Sequence, residues 1–498
     1  MSETAPTDPR PLRRQALSSF FWSYGGLFGG KISFFLATLI LARLLEPEDF
    51  GLVAFALAAL AYINNLTVHG PGEALLYRSD AHSNRVASTV YWLSIAMSVA
   101  LTALVWVLSP LVGLVADNEL VWILRVLSLQ LVITSIASTH GYLLRHSLRF
   151  RLLFVPDQLG GLVRGVVSVA LALAGFGVWS LVLGQLAGSI ATSAALVARS
   201  DWRPTFAIAR PEVSRTLRVG FSFTLVAILG EAARNLDFII VGLKLGADEL
   251  GYYVLAFRLP ELAVLGAFEV AWGVLFPFYA RVRDSEEGAG AASLSATYLR
   301  TVRLGSLIAF PLGFAMAALA RPLVLVLYGE RWTASVAPLA LIAIWAALTA
   351  VAGLPGTVFK AVGRPGLLTR CILVYLIVLA PTLLLAATYS ITTVAAAHVA
   401  VQALNLAFLS AVLGRISELA WWSTLRVALP GIVVGVAVAA SLVPLSLLLR
   451  PSLALAAGVP LALGVFGLAL RLVAPGDVAA VKAFARSRSE GRAITTVQ

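Results

Sequence analysis

Apolar runs long enough to cross a bilayer follow one another through this 498-residue chain, and a helix needs about 20 such residues to span the hydrocarbon core. Fourteen runs are distinguishable, at 18–42, 50–69, 86–108, 120–141, 154–174, 177–198, 216–243, 250–279, 301–320, 335–358, 367–387, 391–413, 426–449 and 453–473. With 59% hydrophobic and 12% charged residues, the chain is too apolar for an ordinary water-soluble globule. The runs leave no room for a large soluble domain. The expected fold is an all-α, polytopic membrane protein of about 14 transmembrane helices.

The chain also repeats itself. Leu39–Ala56, LILARLLEPEDFGLVAFA, returns as Ile239–Ala256, IIVGLKLGADELGYYVLA, with no gap. Ile40 meets Ile240, Leu45 meets Leu245, Asp49 meets Glu249, Gly51 meets Gly251 and Ala56 meets Ala256. Each copy ends an apolar run, turns through a short acidic loop and enters the next run at a glycine. Duplicated helix blocks are how many transporters frame a central pathway. Six runs separate the two starts, so the lobes share one orientation about an axis along the membrane normal. The expected division is an N-lobe at 1–205 with spans one to six, a C-lobe at 206–414 with spans seven to twelve, and 415–498 with spans thirteen and fourteen. The polar stretch Ala198–Arg215 marks the boundary between lobes.

Basic residues resist translocation and collect on the cytoplasmic side. With a cytoplasmic N-terminus, 27 of the 37 Lys and Arg fall inside, five fall outside (Arg43, Lys244, Arg321, Arg331 and Arg450), and five lie within spans. Both termini are therefore expected in the cytoplasm, as an even number of spans requires. The same asymmetry accounts for the net charge of +12 as membrane topology, and nucleic acid is not an expected partner. The opening MSETAPTDPRPLRR has no small-residue cleavage site after it and reads as a cytoplasmic tail before an uncleaved first helix. The single Cys371 has no intramolecular disulfide partner.

A charge at a helix centre costs about 2.5–3.5 kcal/mol on insertion scales, so each one needs a partner or an aqueous cavity. Span seven carries Glu231, Arg234 and Asp237 at steps of three, within a sector of about 120°. Span eight carries Arg258, Glu261 and Glu269, within about 80° by the same geometry. Lys31 in span one falls opposite Glu231 in the repeat, so the first helices of the two lobes carry opposite charges at equivalent heights. In one reading, Glu231 with Arg234 and Arg258 with Glu261 are neutralised pairs that lock helices. In the other, the residues face a hydrated cavity, where Lys31, Arg234 and Arg258 hold an anionic ligand and Glu231, Asp237, Glu261 and Glu269 hold a coupling cation. Arg125 and Arg164 stand apart and read as snorkelling or serving a neighbouring helix.

Three motifs mislead. Gly25–Lys31, GGLFGGK, imitates a phosphate-binding loop, but Ile32 stands where Ser or Thr is required and no strand precedes it. Its glycines read instead as a thin helix face for close packing. Asn65-Leu-Thr67 is a formal glycosylation sequon inside a span. The five histidines lie without metal-ligand spacing at span ends and in loops, so no metal site and no cofactor is expected.

Together the duplicated lobes, the 14 spans, the entry FFWSYGGLFGGKISFFLATLILARLLEPEDFGLVAFA and the seventh-span DFIIVGLKLGADELGYY resemble the oligosaccharide flippases of polysaccharide biosynthesis. That family sits in the superfamily of multidrug, oligosaccharidyl-lipid and polysaccharide exporters. The resemblance implies a protein of the bacterial plasma membrane that moves a polyprenyl-diphosphate-linked glycan to the outer leaflet by alternating access, without enzymatic activity. It implies membrane lipids, and the polymerase and glycosyltransferases of the same pathway, as partners. The diphosphate would be drawn to Lys31, Arg234 and Arg258. Lipid II flippases are expected to carry a basic residue in the second span; span two here has none, which disfavours lipid II as cargo. A cation-coupled exporter of the MATE type shares the architecture but favours acidic cavity residues. A membrane polymerase would need a large outside loop, and the longest here, about Arg321–Ala334, is short and apolar.

Overall fold

The structure is a computed structural model that describes residues 29–76, 80, 81, 83–113, 118–147, 149–283, 290–417, 419, 420 and 422–473. All its regular elements among these residues are helical. In chain order they are α1 (29–44), α2 (Pro47–Asn64), a π-turn (Asn65–His69), α3 (Gly70–Leu76), α4 (Asn84–Val112), α5 (Asn118–His146), α6 (Phe150–Leu173), α7 (Val178–Arg199) and α8 (Arg210–Leu245). Then come α9 (Ala247–Pro260), a second π-turn (Glu261–Leu265), α10 (Gly266–Arg283), α11 (Gly290–Ala318), α12 (Ala320–Leu327) and a 3₁₀ turn (Glu330–Ser335). The remainder is α13 (Val336–Ala361), α14 (Pro365–Ala386), α15 (Ile391–Ser417), α16 (Ser423–Leu448) and α17 (Pro451–Val473). The basic tails expected at Arg10, Arg13 and Arg14 and from Lys482 onward, with Gly25 and Gly26, lie outside the described residues.

Twelve helical stretches among the described residues are long and apolar enough to cross a membrane. They coincide with expected spans two to six and eight to fourteen. Span one begins among undescribed residues. Span seven is a continuous helix of 36 residues, but Glu231, Arg234 and Asp237 interrupt its apolar surface. The outer faces are apolar where a soluble protein would be polar, with Val107, Leu385 and Leu448 left open, as a lipid-facing surface requires.

Contacts group the chain into two compact units, Met1–Val254 and Leu255–Gln498. The first therefore contains α8 as well as α1–α7. Small residues decide how its helices approach. A Cβ on Gly161 would stand 2.7 Å from Gly30, and one on Gly165 would meet Ala37 at 2.9 Å, so α1 lies directly on α6. Gly29 and Gly30 are thus a packing face, as their sequence spacing predicts. Gly184 and Gly188 of α7 repeat the device against Ser168 and Arg164 of α6.

The duplicated motif has a structural purpose inside the first unit. Glu46 caps α2 in a reciprocal box with Asp49, whose Oδ2 accepts the Glu46 N–H at 2.9 Å. Pro47 stands at the first helical position, where its missing N–H costs nothing. Gly246, at φ +93°, turns the chain from α8 into α9. A Cβ on Gly51 would lie 1.8 Å from the Ala247 carbonyl oxygen, and one on Gly251 would lie 1.9 Å from that of Pro47. The contact is reciprocal: each glycine meets the repeat counterpart of the residue that meets the other. Only two glycines let the two loops touch backbone to backbone.

In the second unit, α11 is the central helix, packed by α13 and α16. Gly431 and Gly435 of α16 rest on the backbone of Ser306 and Phe310, a small-residue crossing of one turn's spacing. Helix α17 lies on α16. Spans thirteen and fourteen are therefore an integral part of this unit.

Candidate functional site

Most interior side chains of the first unit are apolar or small hydroxyls, and its buried carboxylates among the described residues, Glu231 and Asp237, both lie on α8. Glu231 is 9% exposed, and its two carboxylate oxygens are taken up by three donors. Arg234 Nη2 donates to Oε2 at 2.9 Å, Asn65 Nδ2 donates to the same oxygen at 3.4 Å, and Asn235 Nδ2 donates to Oε1. Asp237, 1% exposed, lies six residues further along α8. Tyr62 of α2, three residues before Asn65, has a buried hydroxyl.

Asn65 owes its position to the first π-turn. A π-turn adds one residue per turn and redirects the side chains after it, and such bulges collect at functional positions. Here it begins at Asn65, whose amide also donates to the Ala61 carbonyl at 3.0 Å. The second π-turn starts at Glu261, immediately after Pro260. Counting 200 residues on from Asn65 gives Leu265, the last residue of that second turn. Both copies of the repeat thus break their second helix at nearly the same place, and both breaks carry a member of the charged set or its hydrogen-bond donor.

The predicted residues are placed as follows. Glu231, Arg234 and Asp237 share one region of α8, and the Arg234 side chain remains 68% exposed while one nitrogen is held by Glu231. Lys31 is half-buried on α1. In the second unit Arg258 and Glu261 face each other across the start of the π-turn at a loose 3.9 Å, with side chains 32% and 43% exposed. Glu269 is exposed in the first turn of α10. Of the two proposed ion pairs, Glu231–Arg234 is tight and further braced by amides, whereas Arg258–Glu261 is open.

The solitary arginines serve neighbouring helices. Arg125 donates to Ser109 Oγ on α4 at 2.8 Å and lies 5.0 Å from the Trp122 ring. The Arg164 guanidinium of α6 sits 3.6 Å from the centroid of Phe34 on α1. Two histidines lie deeper than their sequence positions indicate. His140 is buried against Tyr91 and Trp202, and His398 against Trp345 and Phe257. No group of three potential metal ligands occurs among the described residues.

Sequence reasoning missed the amides. Asn65 was visible only as part of a spurious sequon, and Asn235 as an ordinary polar residue beside charged ones. The signal that marks them is the doublet Asn64-Asn65 inside an otherwise apolar run, since an amide in hydrocarbon needs partners.

The chain is similar to known proteins in sequence and in fold. Residues 40–337 match the family of polysaccharide biosynthesis proteins. A succinoglycan biosynthesis transport protein of Rhizobium meliloti, ExoT, is 30% identical over 321 residues, 64% of this chain and 63% of that protein. The teichuronic acid biosynthesis protein TuaB of Bacillus subtilis is 27% identical over 304 residues, 60% of this chain and 61% of that one. The lipopolysaccharide biosynthesis protein WzxC of Escherichia coli is 24% identical over 339 residues, 65% of each. The matches thus span less than two thirds of the length of these relatives. Among solved structures, the lipid II flippase MurJ in an inward-closed conformation superposes with a TM-score of 0.75 at 12% identity, covering 91% of this chain and 98% of that one. An inward-facing MATE-family multidrug transporter gives 0.60 at 16% identity, covering 78% and 96%. At such identities the likeness is one of fold alone, the all-helical membrane fold that flippases and drug exporters share. By its match over more than half its length, the chain belongs to the family of polysaccharide biosynthesis proteins.

Proposed function

We propose that this protein is a flippase that carries a polyprenyl-diphosphate-linked oligosaccharide from the cytoplasmic to the outer leaflet of the bacterial plasma membrane for assembly of a cell-surface polysaccharide. The observation that carries the reading is the set of intramembrane cations in a member of this family: Lys31 and Arg234 in the first unit and Arg258 in the second. A diphosphate is a strong acceptor of charge-assisted hydrogen bonds. Arg234, whose side chain is 68% exposed, keeps donors available to it. The lipid tail never leaves the bilayer, so only the head group needs a polar path. The pathway opens alternately to each side, and both termini lie in the cytoplasm, as the Lys and Arg distribution requires. Membrane lipids and the polymerase and glycosyltransferases of the pathway are its neighbours. Lys31→Glu and Arg258→Glu are each expected to lower polysaccharide export on the order of tenfold, the effect of about 1.4 kcal/mol of lost binding. Full export by both variants would remove the cations from the mechanism.

A second reading, a cation-coupled small-molecule exporter, is favoured by one observation: two further carboxylates stand on apolar helices, Asp237 buried on α8 and Glu269 in the first turn of α10. It predicts that Asp237→Asn and Glu269→Gln abolish transport while Lys31→Glu is tolerated.

A further inference from the structure

A second polar feature crosses the first unit, and none of it is charged. Gln185 Nε2 of α7 donates to Gln130 Oε1 of α5 at 3.0 Å. One turn along α5, Thr134 donates to the Gln130 carbonyl at 2.8 Å and makes a long 3.5 Å contact with Asn64 Oδ1 of α2. Asn64 precedes Asn65, which reaches Glu231 on α8. A ladder of neutral polar side chains, joined by the Gln185–Gln130 bond and otherwise by proximity, thus runs from α7 through α5 to α2, beside the residue that reaches the charged cluster. Gln130 and Gln185 sit near the middle of their helices, Asn118–His146 and Val178–Arg199, at the depth where lipid offers nothing to a polar group.

Two facts set the ladder apart from ordinary interhelical bonding. The acceptor Gln185 Oε1 is buried with no hydrogen-bond partner among the described residues, as is the Tyr62 hydroxyl at the other end. Gln130, Thr134, Asn64 and Gln185 are all half-open rather than sealed. A purely structural network would close its polar groups against each other. Side chains that both donate and accept, and carry no charge, match a ligand dense in hydroxyls.

The geometry points to a sugar-recognition site: Gln185, Gln130, Thr134 and Asn64 hold the neutral glycan of the cargo, while the neighbouring charges hold its diphosphate. The inference rests on the flippase reading and adds to it the residues that distinguish one glycan from another. A site built to hydrogen-bond hydroxyls rejects analogues that lack them far more strongly than an apolar pocket does. The ladder therefore sets cargo specificity.

The test uses the full-length purified protein and two lipid probes, polyprenyl diphosphate bearing the host's own repeat unit and the same lipid without sugar. Gln185→Leu and Gln130→Leu are expected to weaken retention of the glycan-bearing lipid about tenfold and to leave the bare lipid unchanged; Arg234→Glu weakens both. Gln185→Asn, which keeps the amide but shortens its reach, controls for folding and should fall between wild type and Gln185→Leu. Equal effects on both lipids, or none on either, would overturn the sugar site and leave the flippase reading standing. A wild-type protein that retains neither lipid would overturn both.

Discussion

Asn65 is the residue on which the charged cluster turns. Its amide gives Glu231 a donor that Arg234 and Asn235 on the same helix do not replace, because it ties α8 to α2. Removing a partner from a buried carboxylate costs more than the bond itself is worth, about 1–3 kcal/mol for the uncompensated group. Asn65→Leu is accordingly expected to lower the thermal unfolding midpoint of the purified protein by a few degrees, and Asn65→Asp to lower it further by placing two carboxylates together. An Asn65→Leu protein as stable as wild type would show that Arg234 and Asn235 alone suffice. At this scale the sequence was only partly legible. Charge is conspicuous in an apolar run, so Glu231, Arg234 and Asp237 could be singled out. Amides are not, and Asn65, Gln130 and Gln185 gain meaning only when helices distant in sequence bring them together.

At the scale of elements, the two acidic loops of the repeat explain why their motif takes the form it does. Each entry glycine accepts the other copy's backbone at a distance that leaves no room for a Cβ. Gly51→Ala or Gly251→Ala must push the loops apart, an overpacking cost of about 1–3 kcal/mol. Both substitutions spoil the same approach, so once one has separated the loops the other costs less. The double variant is expected to be destabilised by less than the sum of the singles, measured by thermal unfolding. Strict additivity would mean that the two contacts are independent. The repeat could be read from the sequence, but its contact could not, because matching letters say nothing of which residues meet. The π-turns were equally hidden. Both lie inside long apolar runs whose hydropathy does not register one added residue, and Pro260 stands directly before the second turn without specifying it. Deleting Leu66 would let the turn close into regular α-helix and remove the local redirection that begins at Asn65. Transport is expected to fail while membrane insertion, read by extraction behaviour, is retained. Normal transport by the deletion variant would show that the turn has no positioning role.

For the whole molecule, nearly all of the fold follows from hydropathy: twelve expected spans recur as helices long and apolar enough to cross, since in lipid a long apolar run has no alternative to the helix. Span seven departs from the pattern because its charges were retained, and it is there that the candidate site lies. The superposition on a lipid II flippase concerns the fold and the family match frames the function; in the proposed reading, cations beside neutral amides suit a cargo with an anionic and a hydroxyl-rich part. Orientation is tested by fluorescent-protein and alkaline-phosphatase fusions at the C-terminus. A cytoplasmic terminus predicts bright fluorescence and inactive phosphatase; the reverse pattern would invert the topology. The central claim is tested most directly by depleting the protein in cells and measuring polyprenyl-diphosphate-linked glycans by mass spectrometry, with and without an external glycosidase. Flipping predicts accumulation of one lipid-linked intermediate that the glycosidase cannot reach. An unchanged pool, or an accumulated glycan open to the enzyme outside, would contradict it.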